Sequence, residues 1–261
     1  MKEGYFIKHL PVRYYIELVN LKNYFFQSAA SKKNKEVIKC RAKFYQQFIS
    51  SNDLCFDIGA NYGNRVEAFL QLNAHIIAVE PQQTCVNFLK EKYKNNNVIV
   101  VDKGVADIET TLDYYVSEAE MLSSFSKRWI DSVKENRFND VKWLGVEQKA
   151  VTTLERLIAD FGKPVFIKID VEGFELKVLK GLKTPITAIS FEYAVPENLT
   201  DIIGCIEILT MLANYRFNFS VGESLLMHLP NWVDSKQIIE LIGSSDFLAT
   251  SAGDIYAKIF I

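Results

Sequence analysis

From Leu54 onward, short unbroken apolar runs alternate with stretches whose apolar residues recur every three or four positions. Leu54–Ile58 reads as a buried strand that stops at Gly59, and Asn64–Leu72 as a helix with Val66, Phe69 and Leu70 on one face. Ile76–Val79 is a second strand, closed by Glu80-Pro81, and Thr84 is placed to cap a helix carrying Val86, Leu89 and Tyr93. Val98–Val101 follows the Asn95-Asn96-Asn97 turn as a third strand. The rhythm resumes with a strand at Val165–Asp170, a helix from Glu172 to Lys180 stopping at Gly181, and a strand from Ile186 to Phe191 ending at Glu192. A helix at Asp201–Leu212 and closing strands at Arg216–Val221 and Asp254–Ile261 complete the pattern. Strands alternating with helices at this interval predict right-handed βαβ units. Continuous apolarity within each strand predicts a sheet covered on both faces. The expected fold is α/β: a Rossmann-like, doubly wound, mostly parallel sheet of about seven strands with an antiparallel C-terminal strand, preceded by N-terminal helices.

The middle of the chain breaks this regularity. Thr111–Val116 and Val146–Val151 read as strands, and the polar and aromatic stretch between them, from Ser123 through Trp129 to Trp143, is long enough to serve as a lid or binding loop. No internal repeat or low-complexity tract occurs, so residues 50–261 are expected to form one domain behind an N-terminal helical segment, residues 1–49.

That leading segment differs in charge. Residues 1–50 carry ten Lys and Arg against three Asp and Glu, while the remainder carries 20 against 29. The basic residues alternate with Phe25, Phe26, Val37, Ile38, Phe44, Tyr45 and Phe48, which suggests helices packed on the body with a solvated basic face. A basic arm could also pair two copies into a homodimer, cover an acceptor pocket or touch an anionic membrane surface peripherally. The body is acidic and the whole chain has a pI near 6.0, which disfavours nucleic acid as a partner. No apolar run reaches the roughly 18 residues of a membrane span, and no signal-peptide pattern opens the chain. Cys40, Cys55, Cys85 and Cys205 lie far apart, without metal-ligand or disulfide-framework spacing. A cytoplasmic enzyme or binding protein without a structural metal is the expectation.

Three acids stand where successive parallel strands end: Asp57, Glu80 and Asp170. In open α/β sheets ligands bind beyond the carboxyl ends of the strands, so these acids should share one crevice. The turn Asp57-Ile58-Gly59-Ala60-Asn61-Tyr62-Gly63 has glycines where backbone must bend tightly and approach a ligand, and its amides and the next helix are placed to face a negative group. Glu80 follows Gly59 by 21 residues, the distance at which an acid can accept both hydroxyls of a ribose. A nicotinamide-dependent oxidoreductase is an alternative, although the third glycine of its fingerprint is missing; a non-catalytic binding module is another.

The pattern Asp-x-Gly-x-Asn-x-Gly at 57–63 resembles motif I of the class I S-adenosylmethionine-dependent methyltransferases. Combined with Val79-Glu80-Pro81, Lys168-Ile169-Asp170-Val171-Glu172-Gly173-Phe174-Glu175, Leu179-Lys180-Gly181, Val151–Leu154 and Phe191-Glu192, the chain resembles the FkbM family over roughly residues 50–195. Lys103-Gly104-Val105-Ala106-Asp107 departs from the family's usual stretch after the third strand. The resemblance implies S-adenosyl-L-methionine as cofactor and a hydroxyl on a sugar, glycan or secondary metabolite as acceptor. Backbone amides at Gly59, Ala60 and Asn61, in the turn closed by Gly63, would then hold the methionyl carboxylate. Asp57 and Asp170 would favour its ammonium, Glu80 the ribose with Pro81 fixing the turn, and Asp102 the adenine amine. Candidate general bases are Asp170 first, then Glu172 and Glu192, each at or just past a strand end. Glu172 also reads as a first-turn acid complementing a helix dipole. Lys168 reads as the ion-pair partner of Asp170, and His228 as a packed surface histidine.

Overall fold

A computed structural model describes residues 31–135 and 137–260. Phe25, Phe26 and the first 30 residues of the basic segment lie outside them. Helix α1 (Ser31–Tyr45) leads into β1 (Leu54–Ile58), α2 (Asn64–Gln71), β2 (His75–Val79), α3 (Gln83–Lys92) and β3 (Val98–Val101). The chain then leaves the sheet through β4 (Gly104–Val105), β5 (Thr110–Ser117), α4 (Lys127–Val133), β6 (Trp143–Thr152) and α5 (Leu154–Phe161). It returns through β7 (Phe166–Ile169), α6 (Glu175–Lys180), β8 (Ala188–Ala194), α7 (Leu199–Leu212) and β9 (Tyr215–Val221). Helices α8 (Ser235–Ile242) and α9 (Ser245–Leu248) precede the last strand, β10 (Ala252–Ile259).

The main sheet has the order β3-β2-β1-β7-β8-β10-β9. β1, β2, β3, β7 and β8 pair in parallel, and β10 runs antiparallel between β8 and β9. The chain winds outward from β1 to β3, then crosses back to place β7 on the other side of β1. That reversal opens a crevice beyond the ends of β1 and β7. All four residues of β7 are buried, as a central strand covered on both faces requires.

The segment between β3 and β7 builds a second sheet, β4-β6-β5. β5 and β6 form a long antiparallel ribbon from Thr110↔Val151 to Ser117↔Trp143. Leu122, Trp129, Ile130, Val133 and Val141 make a small apolar cluster of their own beside it. The basic leader joins the body from α1 onward: the Phe48 ring stacks on Phe166 at 5.2 Å and on Tyr256 at 5.5 Å. Ala42, Phe44, Tyr45 and Ile49 are buried in the same cluster. All four cysteines are free thiols, and no helix among the described residues is long and apolar enough to cross a membrane.

Several local expectations shift. Thr84 does not cap α3; Gln82 occupies that position and the Thr84 hydroxyl donates to Glu120 instead. Helix α6 begins at Glu175 rather than Glu172, because Glu172 (φ 53°) and Gly173 (φ 84°) are both left-handed. Glu172 is therefore no first-turn acid; that role falls to Glu175, whose carboxylate accepts from the amides of Val171 and Gly173. Strand β8 runs past Phe191, so Glu192 lies inside it, opposite Asp254.

Candidate active site

A cleft of about 1220 Å³ lies beyond the ends of β1, β2, β7 and β8, roofed by the segment from Met121 to Asp140. Asp57, Gly59, Ala60, Asn61, Glu80, Pro81, Asp170, Glu172 and Glu192 all line it. Gly63 and Asp102 do not; Gly63 is the N-cap of α2, and Asp102 is exposed just past β3, where Lys103, Gly104 and Val105 line the wall instead.

The turn after β1 is forced by contact with β7. Gly59 has φ +81°, and a Cβ there would stand 1.8 Å from the carbonyl oxygen of Asp170. Only glycine permits that approach, which sets the ends of the two strands side by side. The amides of this turn are consumed within it. Gly59 and Ala60 donate to the Val79 carbonyl at 2.9 and 3.1 Å, Asn61 donates to Glu80 Oε2 at 2.8 Å, and Gly63 donates to the Ala60 carbonyl at 2.8 Å. The Tyr62 amide donates to Asn61 Oδ1 at 2.8 Å. The glycine turn thus anchors Glu80, and the amides of Gly59, Ala60 and Asn61, expected to hold a carboxylate, donate here to Val79 and Glu80.

Glu80 is 2% exposed, and its other oxygen accepts from the Gln82 amide at 2.8 Å. Burial pushes its carboxyl up to about 7, with the two amides opposing and the charges of Asp57 and Asp102 adding. Each oxygen keeps a second lone pair for a hydroxyl. Asp57 is equally buried, and its Oδ2 has no hydrogen-bond partner among the described residues. Burial lifts it to about 7 as well, against the pull of Arg65 and Lys168.

Beside Asp57 on the neighbouring strand, Lys168 is fully enclosed on β7, with its ammonium 2.5 Å from Asp254 and 3.2 Å from Asp170. This is the ion pair read from the spacing, with an additional carboxylate that sequence proximity did not reveal. Asp170, Glu172 and Glu192 bring one oxygen each to within 4.8 Å of one another. Three carboxylates so close cannot all be ionised without a proton or cation among them. Burial, followed by the charge of Asp170, drives the carboxyls of Glu172 and Glu192 well above the usual range. His228 lies outside the cleft, exposed and stacked on Phe219 at 4.5 Å.

The roof contributes residues that no motif announced. Trp129 packs over Gly173, where a Cβ would meet its ring at 2.4 Å. Arg137 reaches Glu197 and the carbonyls of Val195 and Ser251, tying the roof to the far end of the sheet. Arg65, in the first turn of α2, also faces the cleft; a cation directly after a glycine turn was the signal for it.

No curated protein matches the chain. Solved structures similar to it include a precorrin-6Y C5,15-methyltransferase from Geobacter metallireducens (14% identity, 84% of this chain and 88% of that one, TM-score 0.42). Others are the plantazolicin methyltransferase BpumL in complex with SAH (11%, 96% and 91%, TM-score 0.45) and a TehB-like SAM-dependent methyltransferase from Corynebacterium glutamicum (9%, 95% and 97%, TM-score 0.43). The family model described as the methyltransferase FkbM domain matches residues 57–219, a span that holds the glycine turn, Glu80 and the acids of β7 and β8. The chain belongs to the FkbM methyltransferase family.

Proposed function

We propose that the chain binds S-adenosyl-L-methionine in this cleft and methylates a hydroxyl on a sugar, glycan or secondary-metabolite acceptor. The observation that carries the reading is the meeting of Asp57, Glu80 and Asp170, distant in sequence, on one cleft wall. The buried, unpartnered Oδ2 of Asp57 is an acceptor suited to an ammonium, and the free lone pairs of Glu80 suit a pair of ribose hydroxyls. At about 1220 Å³ the cleft exceeds the roughly 300–1,000 Å³ of a single-ligand site, which leaves room for an acceptor beside the cofactor. The bound cofactor supplies an electrophilic methyl group.

The chain's own residues position the acceptor and take its proton. Alignment of an acceptor oxygen can contribute several kcal/mol, up to about 7–11 in the best intramolecular cases. Asp170 is held by Lys168, which makes it a positioning group more than a base. Glu172 and Glu192, raised well above the usual carboxyl range and facing the cleft, hold a proton more tightly than Asp170's neighbourhood of Lys168 allows and are the better acceptors for one from a hydroxyl once ionised. Membership of a methyltransferase family removes the nicotinamide reading. Calorimetry tests the assignment: S-adenosylhomocysteine should bind in the micromolar range, and Glu80→Ala should weaken it more than tenfold. Unchanged affinity in that variant would remove the ribose contact. Binding without turnover on any hydroxylated acceptor in a labelled-methyl assay would favour a non-catalytic module.

A further inference from the structure

The amides from Gly59 to Gly63 all donate within the protein, so an anionic group at this end of the cleft gains from a side-chain cation. Arg65 lines the cleft with a side chain only 11% exposed. Its guanidinium grips Glu223 with two parallel bonds, Nη1 to Oε2 at 3.0 Å and Nη2 to Oε1 at 2.6 Å. That fork is the geometry with which a guanidinium takes a carboxylate from any source. Arg41 stands behind it, with Nη2 at 3.5 Å from the same Glu223 oxygen. The Nε atoms of both arginines are buried without a partner among the described residues. The two guanidiniums thus hydrogen-bond to a single carboxylate, Glu223.

That carboxylate is not built in like its partners. The Glu223 side chain is 62% exposed, on the turn that leaves β9. Beside it, Gly222 has φ +51° and nothing within 4 Å of its Cβ position, so there is open space around the turn. Asp57, with its unpartnered oxygen, lines the same cleft. After burial, the Arg65 charge is the largest influence on that carboxyl, and it pulls the pKa down. An α-amino acid carries an ammonium and a carboxylate on a single carbon, and this pair of opposite charges matches it.

We infer that Arg65, backed by Arg41, is a carboxylate subsite of the cleft, filled in this structure by Glu223 and taken over by the amino-acid head group of the cofactor when Glu223 swings out. The inference rests on the cofactor reading above and deepens it. An acidic group on the acceptor is the other source of the same chemistry.

The experiment compares two nucleosides that differ only in the head group. S-Adenosylhomocysteine and 5′-methylthioadenosine are titrated calorimetrically into the wild-type chain, Arg65→Gln and Glu223→Gln, with the melting temperature of each variant as a check on folding. Arg65→Gln should weaken S-adenosylhomocysteine at least tenfold and leave methylthioadenosine within twofold. Glu223→Gln, which weakens the internal competitor, should tighten S-adenosylhomocysteine about threefold or more, and this arm stands even if Arg65→Gln does not fold. If Arg65→Gln spares both nucleosides but abolishes D-glucuronate binding to the homocysteine complex, the subsite belongs to the acceptor. Equal losses for both nucleosides, or no change with any probe, overturn the subsite while the cofactor reading survives. If neither nucleoside binds the wild-type chain, the cofactor reading fails and the subsite falls with it.

Discussion

Replacing Lys168 with methionine tests whether the cleft floor is held by charge. The ammonium is wholly enclosed between Asp254 at 2.5 Å and Asp170 at 3.2 Å. Burial works against its charge, and the two carboxylates outweigh that, so its pKa stands well above the ordinary lysine value. Methionine keeps most of the side-chain volume, so the loss isolates the electrostatic part. Removing one partner of a buried pair costs about 3–5 kcal/mol, because the charges left behind remain enclosed. At about 2–4 °C per kcal/mol for a chain near this size, the melting temperature should fall by roughly 6–20 °C. Urea denaturation at pH 7.5 gives the free energy directly, provided the slope of the transition is unchanged. Adding Asp254→Asn should restore a substantial part of the loss, because it removes one of the stranded charges. A deficit below about 1 kcal/mol would refute the idea that this lysine is an electrostatic keystone.

Further outcomes follow from other parts of the fold. Asp57, Glu80 and Glu175 are each raised to about 7 by burial, so the folded state holds protons that the unfolded state has released above about pH 4.5. Their share of stability should therefore decline as pH rises from about 4.5 to 7 and level off above it; urea midpoints that climb through that window would contradict the burial argument. Glu223 acts in the opposite sense. Burial raises its carboxyl, Arg65 and Arg41 outweigh burial and hold it near 2, so its contribution is present above about pH 4.5 and fades as pH falls toward 2. Phe48→Ala should cost about 3–5 kcal/mol, because the ring fills space between Phe166 and Tyr256; calorimetric melting close to that of the wild type would show that the N-terminal segment is not part of the core.

The central strands of the main sheet were legible because they are buried on both faces and write largely apolar runs into the chain. Its ligand-facing acids were legible because strand ends are marked by Gly59, Pro81 and Gly173. What escaped was decided by contacts across long separations. Glu172 reads as helical in its local sequence, yet the Ser124 hydroxyl donates to its carbonyl at 2.7 Å and Trp129 covers Gly173, holding both residues left-handed. Strand β4 has two residues and exists only through its pairing with β6, so no period could announce it. Thr84 has the chemistry of a cap, but the Glu80 carboxylate binds the Gln82 amide and starts α3 earlier. The fate of the turn amides was equally hidden, since their acceptors on Val79 and Glu80 belong to the neighbouring strand.

The stacked ring of Phe48 bears on where this protein can be cut. Likeness to the family begins at Asp57, inside β1, because shared motifs follow the ligand. Among the described residues, exclusion of water begins earlier, at Ala42, because Phe166 and Tyr256 use the side chains of α1 and its following turn as their outer cover. A fragment trimmed to the conserved-looking border would keep the chemistry on paper and present two bare aromatic faces to solvent, so transplantable units of this protein should carry their own upstream lid.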